Sequence, residues 1–362
     1  MAPPPRHQGV AHHGEMGGTA RFVGVKALEA GTLAMNWLSR PRFKRPSPAP
    51  RARHRAMETS IQMRQRDTGL YDFLPYNDRP MIAWPGGARI AVWVVPNIEF
   101  YEFDPPRGAI RQPWPRPSPD VLNYAMRDYG NRVGLGRMME AMQRFGIRGS
   151  VSLSVAVCDH FPDIIRDCRA LGWEFLSHGI YNTRYLYGMS PEQERQIIHD
   201  TRDSIEQHTG QRLDGWLSPA LSNTEHTIEL LAEEGIRYTM DFFHDDQPTP
   251  LKTRSGRLMS LPYSWEINDA PSFKSWNMTP ADYGDMVKRQ FDQLYAEGAE
   301  SGTVMGWPLH PFNLGQPHRI AMFNEVLAHI TSHDGVWLAT GREIADWYDT
   351  HCYDAFRGHA VV

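Results

Sequence analysis

Four short stretches of this 362-residue chain place side chains that can move protons or hold ions directly after apolar runs. Residues 96–102, PNIEFYE, offer Asn97 and Glu99, and residues 178–185, HGIYNTRY, offer His178 and Asn182. Residues 241–246, DFFHDD, bring Asp241, His244, Asp245 and Asp246, and residues 307–311, WPLHP, set His310 between Pro308 and Pro311. Proline fixes its own φ, so His310 stands on a backbone with little freedom on either side. A lone histidine at the end of a strand is most often a hydrogen-bonded structural group. Carboxylates, amides and imidazoles arriving together from four separate strands are instead the parts of an acid–base site.

The elements that must position these groups can be read from pattern. Short β-branched runs alternate with helical periodicity beyond residue 85, which predicts βα units around a parallel sheet. Strands are expected at 89–95, 149–155, 173–177, 214–218, 236–241, 258–263, 303–309 and 336–339. Helix starts are marked by capping boxes at Ser190–Gln193 and Ser222–Glu225, and by Thr279 with Pro280 in the first turn. Seven or eight strands in about 270 residues suit a closed or nearly closed (β/α) barrel, since the glycine fingerprint of a dinucleotide-binding sheet is missing. In such a barrel the loops after the carboxyl ends of the strands carry the chemistry, and the four stretches fall there.

Bulk properties narrow the class. Hydrophobic residues make up 41% and charged residues 22%, an ordinary globular composition. The net charge of −4 conceals an asymmetry: residues 1–56 hold ten Lys/Arg against two acids, leaving 28 bases and 40 acids beyond. Residues 1–63, rich in Pro, Gly and Arg without apolar periodicity, are expected to be a disordered extension ahead of a start near Met57 or Met63, with one catalytic domain over 64–362. The acidic body lacks a basic stripe, which excludes nucleic acid as the expected partner. No apolar run of about 18 residues predicts a membrane span. Cys158, Cys168 and Cys352 have neither paired spacing nor an even count, so a reducing cytoplasm is expected and no disulfide framework. A symmetric homo-oligomer is the default assembly. His160 reads as a residue near a helix start, His226 as one on the exposed side of a helix, and His318, His333 and His351 as surface residues, none with an expected chemical role.

The ordered set of motifs resembles the polysaccharide deacetylase superfamily, closest to its branch with cofactor-independent allantoinase. The matching pieces are residues 84–102, WPGGARIAVWVVPNIEFYE; 126–148, MRDYGNRVGLGRMMEAMQRFGIR; 173–185, WEFLSHGIYNTRY; 215–248, which include GWLSPALSNTEHTIELLAEEGIRYTMDFFHDDQP; and 309–319, LHPFNLGQPHR. The similarity runs from about residue 66 to 349. It implies a distorted (β/α) barrel of about seven parallel strands and a hydrolase of carbon–nitrogen bonds other than peptide bonds. It sets Glu99 at the first-strand acidic motif, His178 at the first metal-ligating histidine and His310 at the late-strand general acid. The chain departs from the metal motif His-x-x-x-His, because Asn182 stands at the second position, and from the adjacent aspartate pair, because Asn97-Ile98-Glu99 stands there. The arginine of the fourth-strand motif is missing from Trp216-Leu217-Ser218-Pro219.

On this reading Glu99, His178 and His310 are the catalytic residues. Glu99 is the expected general base, its pKa raised by partial burial beside Phe100 and Tyr101. His310 protonates the leaving nitrogen, and His178, with Asn182 and backbone amides after Ser218, polarises the carbonyl. Asn97, Asn182, Ser218, Asp245 and Trp307 form the expected substrate-binding set. Catalysis without a cofactor is expected; if zinc or another divalent metal is present, Glu99, His178 and Asn182 are its ligands, a thin cage for an ion that prefers three protein ligands and an open position. The insertion 264–278, SWEINDAPSFKSWNM, reads as a lid. A lid favours a small amide, ureide or cyclic imide as substrate. The alternatives are a metal-dependent N-deacetylase of an amino-sugar polymer and a catalytically inactive barrel that binds a metabolite or serves assembly.

Overall fold

The computed structural model describes residues 69–106 and 118–359, within one compact unit spanning Gln65–Val362. The basic extension expected over 1–63 lies outside the described residues. Nine strands are present among the described residues: β1 (Ile90–Ile98), β2 (Ser150–Leu153), β3 (Glu174–Ser177), β4 (Gly215–Trp216), β5 (Tyr238–Thr239), β6 (Thr249–Pro250), β7 (Met259–Ser260), β8 (Thr303–Leu309) and β9 (Val336–Leu338). The helices are α1 (Val121–Tyr129), α2 (Leu135–Arg144), α3 (Ala156–His160), α4 (Pro162–Ala170), α5 (Pro191–Thr209), α6 (Thr227–Glu233), α7 (Asp269–Lys274), α8 (Pro280–Glu297), α9 (Pro311–Leu314), α10 (Ile320–Thr331), α11 (Gly341–His351) and α12 (Tyr353–His359). No helix among the described residues is long and apolar enough to cross a membrane.

The strand order is β6-β7-β5-β4-β3-β2-β1-β8, parallel except for β6 against β7. β9 pairs with Ile90–Val92 of β1, while β2 pairs higher up at Asn97 and Ile98. The sheet therefore curls into a half-barrel, the distorted (β/α) barrel expected from sequence. Its ends approach each other where Ser264 N donates to Gly306 O and Val304 N donates to Asp246 O.

The period of two along each strand sorts the core into two layers. Ala91, Trp93 and Val95 join Leu176, Leu217, Tyr238, Met240 and Val304 inside the curl. Ile90, Val92, Val94 and Ile98 join Val151, Leu153, Phe175, Trp216, Met305, Trp307 and Leu309 under the helices. Continuing the inner parity past the strand ends gives Asn97 and Glu99 from β1, Ser154 from β2, His178 from β3 and His310 from β8. Parity thus decides which rim residues can meet. At the opposite end Glu174 is fully buried and accepts from Tyr238 Oη (2.6 Å), Ser150 Oγ (2.9 Å) and Arg342 N (3.0 Å), tying α11 across the mouth.

Two helix starts follow their sequence signals. Ser190 and Gln193 close a reciprocal box at α5, and Thr279 caps α8. The box expected at Ser222 does not form. Ser222 Oγ donates to Pro219 O and accepts from Leu186 N, so α6 begins later, at Thr227.

α1 and α2 are joined without a break by one π-helical turn, Gly130–Gly134, a local widening that recurs near functional sites. Gly130 and Gly134 lie one turn apart and press against the segment after His310. A Cβ on Gly134 would stand 2.1 Å from Pro311 O, and one on Gly130 would stand 2.7 Å from Phe312 N. Only glycine permits this approach. Gly134→Ala should lower the unfolding free energy by about 1–3 kcal/mol, the usual penalty of overpacking, read from the midpoint of urea denaturation. An unchanged midpoint would show that helix and loop are not in contact.

Candidate active site

The inner parity brings Glu99, His178 and His310 to one point at the carboxyl end of the barrel. His178 Nε2 and His310 Nε2 lie 3.7 and 3.6 Å from the same oxygen, Glu99 Oε1. All three residues are nearly enclosed, at 5, 5 and 7% exposure. Each is fixed from behind by a different element.

His178 is anchored by its own N–H, which donates to Leu153 O at 2.8 Å, and by its Nδ1, 3.1 Å from Leu217 O. A carbonyl oxygen only accepts, so Nδ1 carries a proton and the bond to Leu217 O fixes the ring with Nε2 toward Glu99. His310 is extended (φ −119°, ψ 124°) and leads into α9 with Pro311 at the first helical position. Its Nδ1 donates to Asp269 Oδ1 at 2.7 Å, while its backbone N and that of Leu314 donate to Asp269 Oδ2 at 2.9 and 3.2 Å. Asp269 opens α7 inside the 264–278 insertion and is fully buried. That insertion, expected to be a lid, is the structural support of the imidazole.

Glu99 receives Arg127 Nε at 3.1 Å on its second oxygen. Arg127 lies with its guanidinium over Phe312 and Tyr101, 4.4 and 4.7 Å from the ring centroids. One α1 face carries the supporting chain: Asp120 caps Asn123 N, Asn123 Nδ2 donates to Asp120, Asn123 Oδ1 accepts from Arg127, and Asn131 Nδ2 donates to Glu99 O. Burial alone would push the Glu99 carboxyl upward, but the Arg127 charge, with His178 and His310, holds it well below the usual carboxylate range. The raised value expected of a general base is therefore corrected. Burial would likewise lower His310, yet Asp269 and Glu99 raise it to about 9, so this ring is a cation at neutral pH.

The other predicted site residues divide. Asn97 is buried beside the triad, where Nδ2 donates to Tyr263 Oη (3.0 Å), Leu309 O and Val95 O, making it a brace between β1 and β8. Asn182 is fully buried and its N–H donates to Phe100 O at 3.0 Å, which places it one residue from Glu99. Three expected ligands of substrate lie elsewhere. Trp307 has the outer parity, packs on Phe323 and donates to Tyr283 Oη at 2.8 Å. Ser218 also points outward. Its N and Oγ both donate to Asp241, and Pro219 has no N–H, so neither residue offers an amide to the triad. Asp245 pairs with Arg79 at 2.6 Å on a loop that returns to the start of β8; six strand residues, roughly 20 Å, separate that level from His310.

Three functional residues escaped the sequence. Arg127 and Asp269 are the charged partners of Glu99 and His310. The third, Ser154, follows from register: Ile98 pairs with Leu153 and Leu153 with Ser177, so Ser154 stands on the middle strand between Glu99 and His178. Its hydroxyl is buried and has no partner. A signal existed for Arg127, since Asp120, Asn123, Arg127 and Asn131 recur at helical spacing on one face.

The donor set fits a divalent metal poorly. Glu99 Oε1 and His178 Nε2 provide one oxygen and one nitrogen, and the carboxylate already faces Arg127 and the His310 cation. A dication would enter beside two fixed positive charges, and zinc at a catalytic centre takes three protein ligands.

The polysaccharide deacetylase family matches residues 124–239, which include Arg127, Ser154 and His178. A curated peptidoglycan deacetylase of Helicobacter pylori is 24% identical over 262 residues, 63% of this chain and 87% of that protein. Two solved structures are each 27% identical with a TM-score of 0.68: a probable polysaccharide deacetylase of Pseudomonas aeruginosa, covering 76% of this chain and 96% of that one, and PuuE allantoinase, covering 76% and 95%.

Two consequences of pH follow. His310 has a folded-state pKa above its ordinary value of about 6.5, so its contribution to stability is complete below that value and is lost as pH rises through about 9. Glu99 has a depressed pKa, and its contribution is lost as pH falls below the ordinary carboxylate range. Rate profiles should show an alkaline limb near 9 for the His310 acid, and Asp269→Asn should move that limb to lower pH. A limb that stays in place in the variant would sever His310 from Asp269.

Proposed function

We propose that this polysaccharide deacetylase-like hydrolase of carbon–nitrogen bonds other than peptide bonds acts on a small amide, ureide or cyclic imide, allantoin-like in chemistry. The near-complete enclosure of Glu99, His178 and His310 carries this reading. A polymer needs an open groove past the reacting groups, whereas a compact substrate can be surrounded. The similarity to an allantoinase structure over most of both chains supports the same class.

The reaction begins from two facing acceptors. Glu99 Oε1 and His178 Nε2 stand 3.7 Å apart, so a water set beside the pair, within hydrogen-bond reach of both, donates one proton to the carboxylate and, when Nε2 is unprotonated, the other to its lone pair. That water's own lone pair is then directed at the substrate carbonyl. As the new C–O bond forms, His178 takes the proton, and the free Ser154 hydroxyl is the nearest donor for the oxyanion. His310 Nε2–H delivers a proton to the departing nitrogen as the C–N bond breaks. The proton then held by His178 returns to His310 across Glu99, which faces both rings. Glu99, kept ionised by Arg127, works as the anion that orients water and stabilises both imidazolium states. No step draws on a cofactor.

A substrate panel tests the class: allantoin, hydantoin and dihydrouracil against chitooligosaccharides and peptidoglycan fragments. Ring or ureide hydrolysis is expected, and deacetylation of the saccharides alone would defeat the proposal. On the active substrate, Glu99→Gln and His310→Ala should each lower turnover by about 10²-fold or more, with circular dichroism showing a retained fold. Ser154→Ala should reduce kcat by about 10-fold or more, while Ser154→Thr, which keeps the hydroxyl, should recover part of it.

A further inference from the structure

A second cluster of metal-binding side chains lies far from the triad, on the helices that flank β8. Asp292 of α8 and His329 and His333 at the end of α10 present ligand atoms that all lie within 4.8 Å of one another. The two histidines are four residues apart, so their rings meet on one helix face, with centroids at 4.9 Å. His329 Nε2 bonds Asp292 Oδ1 at 2.6 Å, joining the two helices. His333 Nδ1 bonds the carbonyl of His329 at 2.8 Å. That carbonyl only accepts, so the proton sits on Nδ1 and the Nε2 lone pair of the neutral ring is left for a ligand. Orientation of a metal-binding imidazole by a backbone carbonyl behind it is a common support of such sites.

We propose that Asp292, His329 and His333 form a structural site for zinc or a similar imidazole-binding divalent ion. Two nitrogens and one carboxylate oxygen suit such an ion, with water at the fourth corner. Tetrahedral zinc sets its ligand atoms about 3.3 Å apart, so the His329–Asp292 pair needs to open by under an ångström, with the proton of His329 Nε2 moving to Nδ1. Phe291 and Tyr295 wall one side, each ring centroid within 5.2 Å of the His333 ring. The site serves the fold, not the reaction. Asp292 lies near the end of α8, His329 in the last turn of α10 and His333 just beyond it; Tyr295 Oη donates to Asp334 O and Arg89 N, just ahead of β1, donates to Gly335 O, which sets them at the end of the barrel away from His310. An ion there would staple the helix pair behind β8.

Calorimetric titration of the chelator-treated full chain with ZnCl2 decides the question. One zinc per chain is expected, retained in His178→Ala and weakened about 10²-fold or more in the His329→Ala/His333→Ala double variant, since even an outer partner of a ligand is worth 10–100-fold. Asp292→Asn should weaken binding by about 10-fold. Zinc should raise the melting temperature of the wild type and not that of the double variant, whose turnover should match wild type. Zinc binding that survives the double variant, disappears in His178→Ala, or is absent from the wild type would overturn the proposal.

Discussion

The structure at the barrel mouth turns on one buried carboxylate. Glu99 is almost wholly enclosed, and a lone anion in that place would be neutralised by taking a proton. Arg127 prevents this by reaching in from α1, and His310 adds a second positive charge held in turn by Asp269. Two anions and two cations thus share a small enclosed volume with no net charge. Removing any one of them leaves another unpaired, which in proteins generally costs about 3–5 kcal/mol. This is why elements distant in the chain must be placed with care around a few atoms.

Several features of the fold serve that requirement. The approach of the Gly130–Gly134 turn to Pro311 and Phe312 lets α1 lie close enough for Arg127 to pass between Phe312 and Tyr101 to the carboxylate. The 264–278 insertion folds a helix start under the imidazole, so that one carboxylate holds both the ring and the backbone of His310. Pro308 is tolerated in β8 because that strand ends the pairing order, where a missing N–H leaves no sheet neighbour unsatisfied. The prolines beside His310 therefore act with Asp269: they limit the backbone, and the carboxylate chooses the ring's direction.

How much of this was readable in the sequence depends on whether the signal was local. The strands, the barrel and the convergence of Glu99, His178 and His310 follow from short-range pattern and from the rule that strand ends carry chemistry. Parity along β8, applied strictly, also separates His310 from Trp307, three residues earlier and on the other face. Asp245 misled because its loop turns back toward the start of β8, a course that no local pattern records. Ser218 misled because its partner, Asp241, comes from the next strand. Arg127 is legible as a polar residue in the last turn of a helix and Asp269 as one at a helix start, but their roles exist only through contacts 28 and 41 residues away in sequence.

The same charge balance decides how the site can work. Because a carboxylate held far below neutrality is a poor acceptor of a proton and a good fixed anion, the proposed reaction passes the proton removed from water to His178. The cation at His310 gives up its proton only when the leaving nitrogen becomes basic, and Glu99 is beside both rings when their charges exchange. At each stage the sum of charges around Glu99 changes little, because positive charge lost at one imidazole is gained at the other 3.6–3.7 Å from the same oxygen. In a volume of low polarity that near-constancy lowers the barrier, since charge separated without compensation there is strongly penalised. The arrangement of one anion between two imidazoles, braced by a guanidinium and a second carboxylate, is thus a means of moving a proton across the substrate without ever leaving a net charge in the cavity.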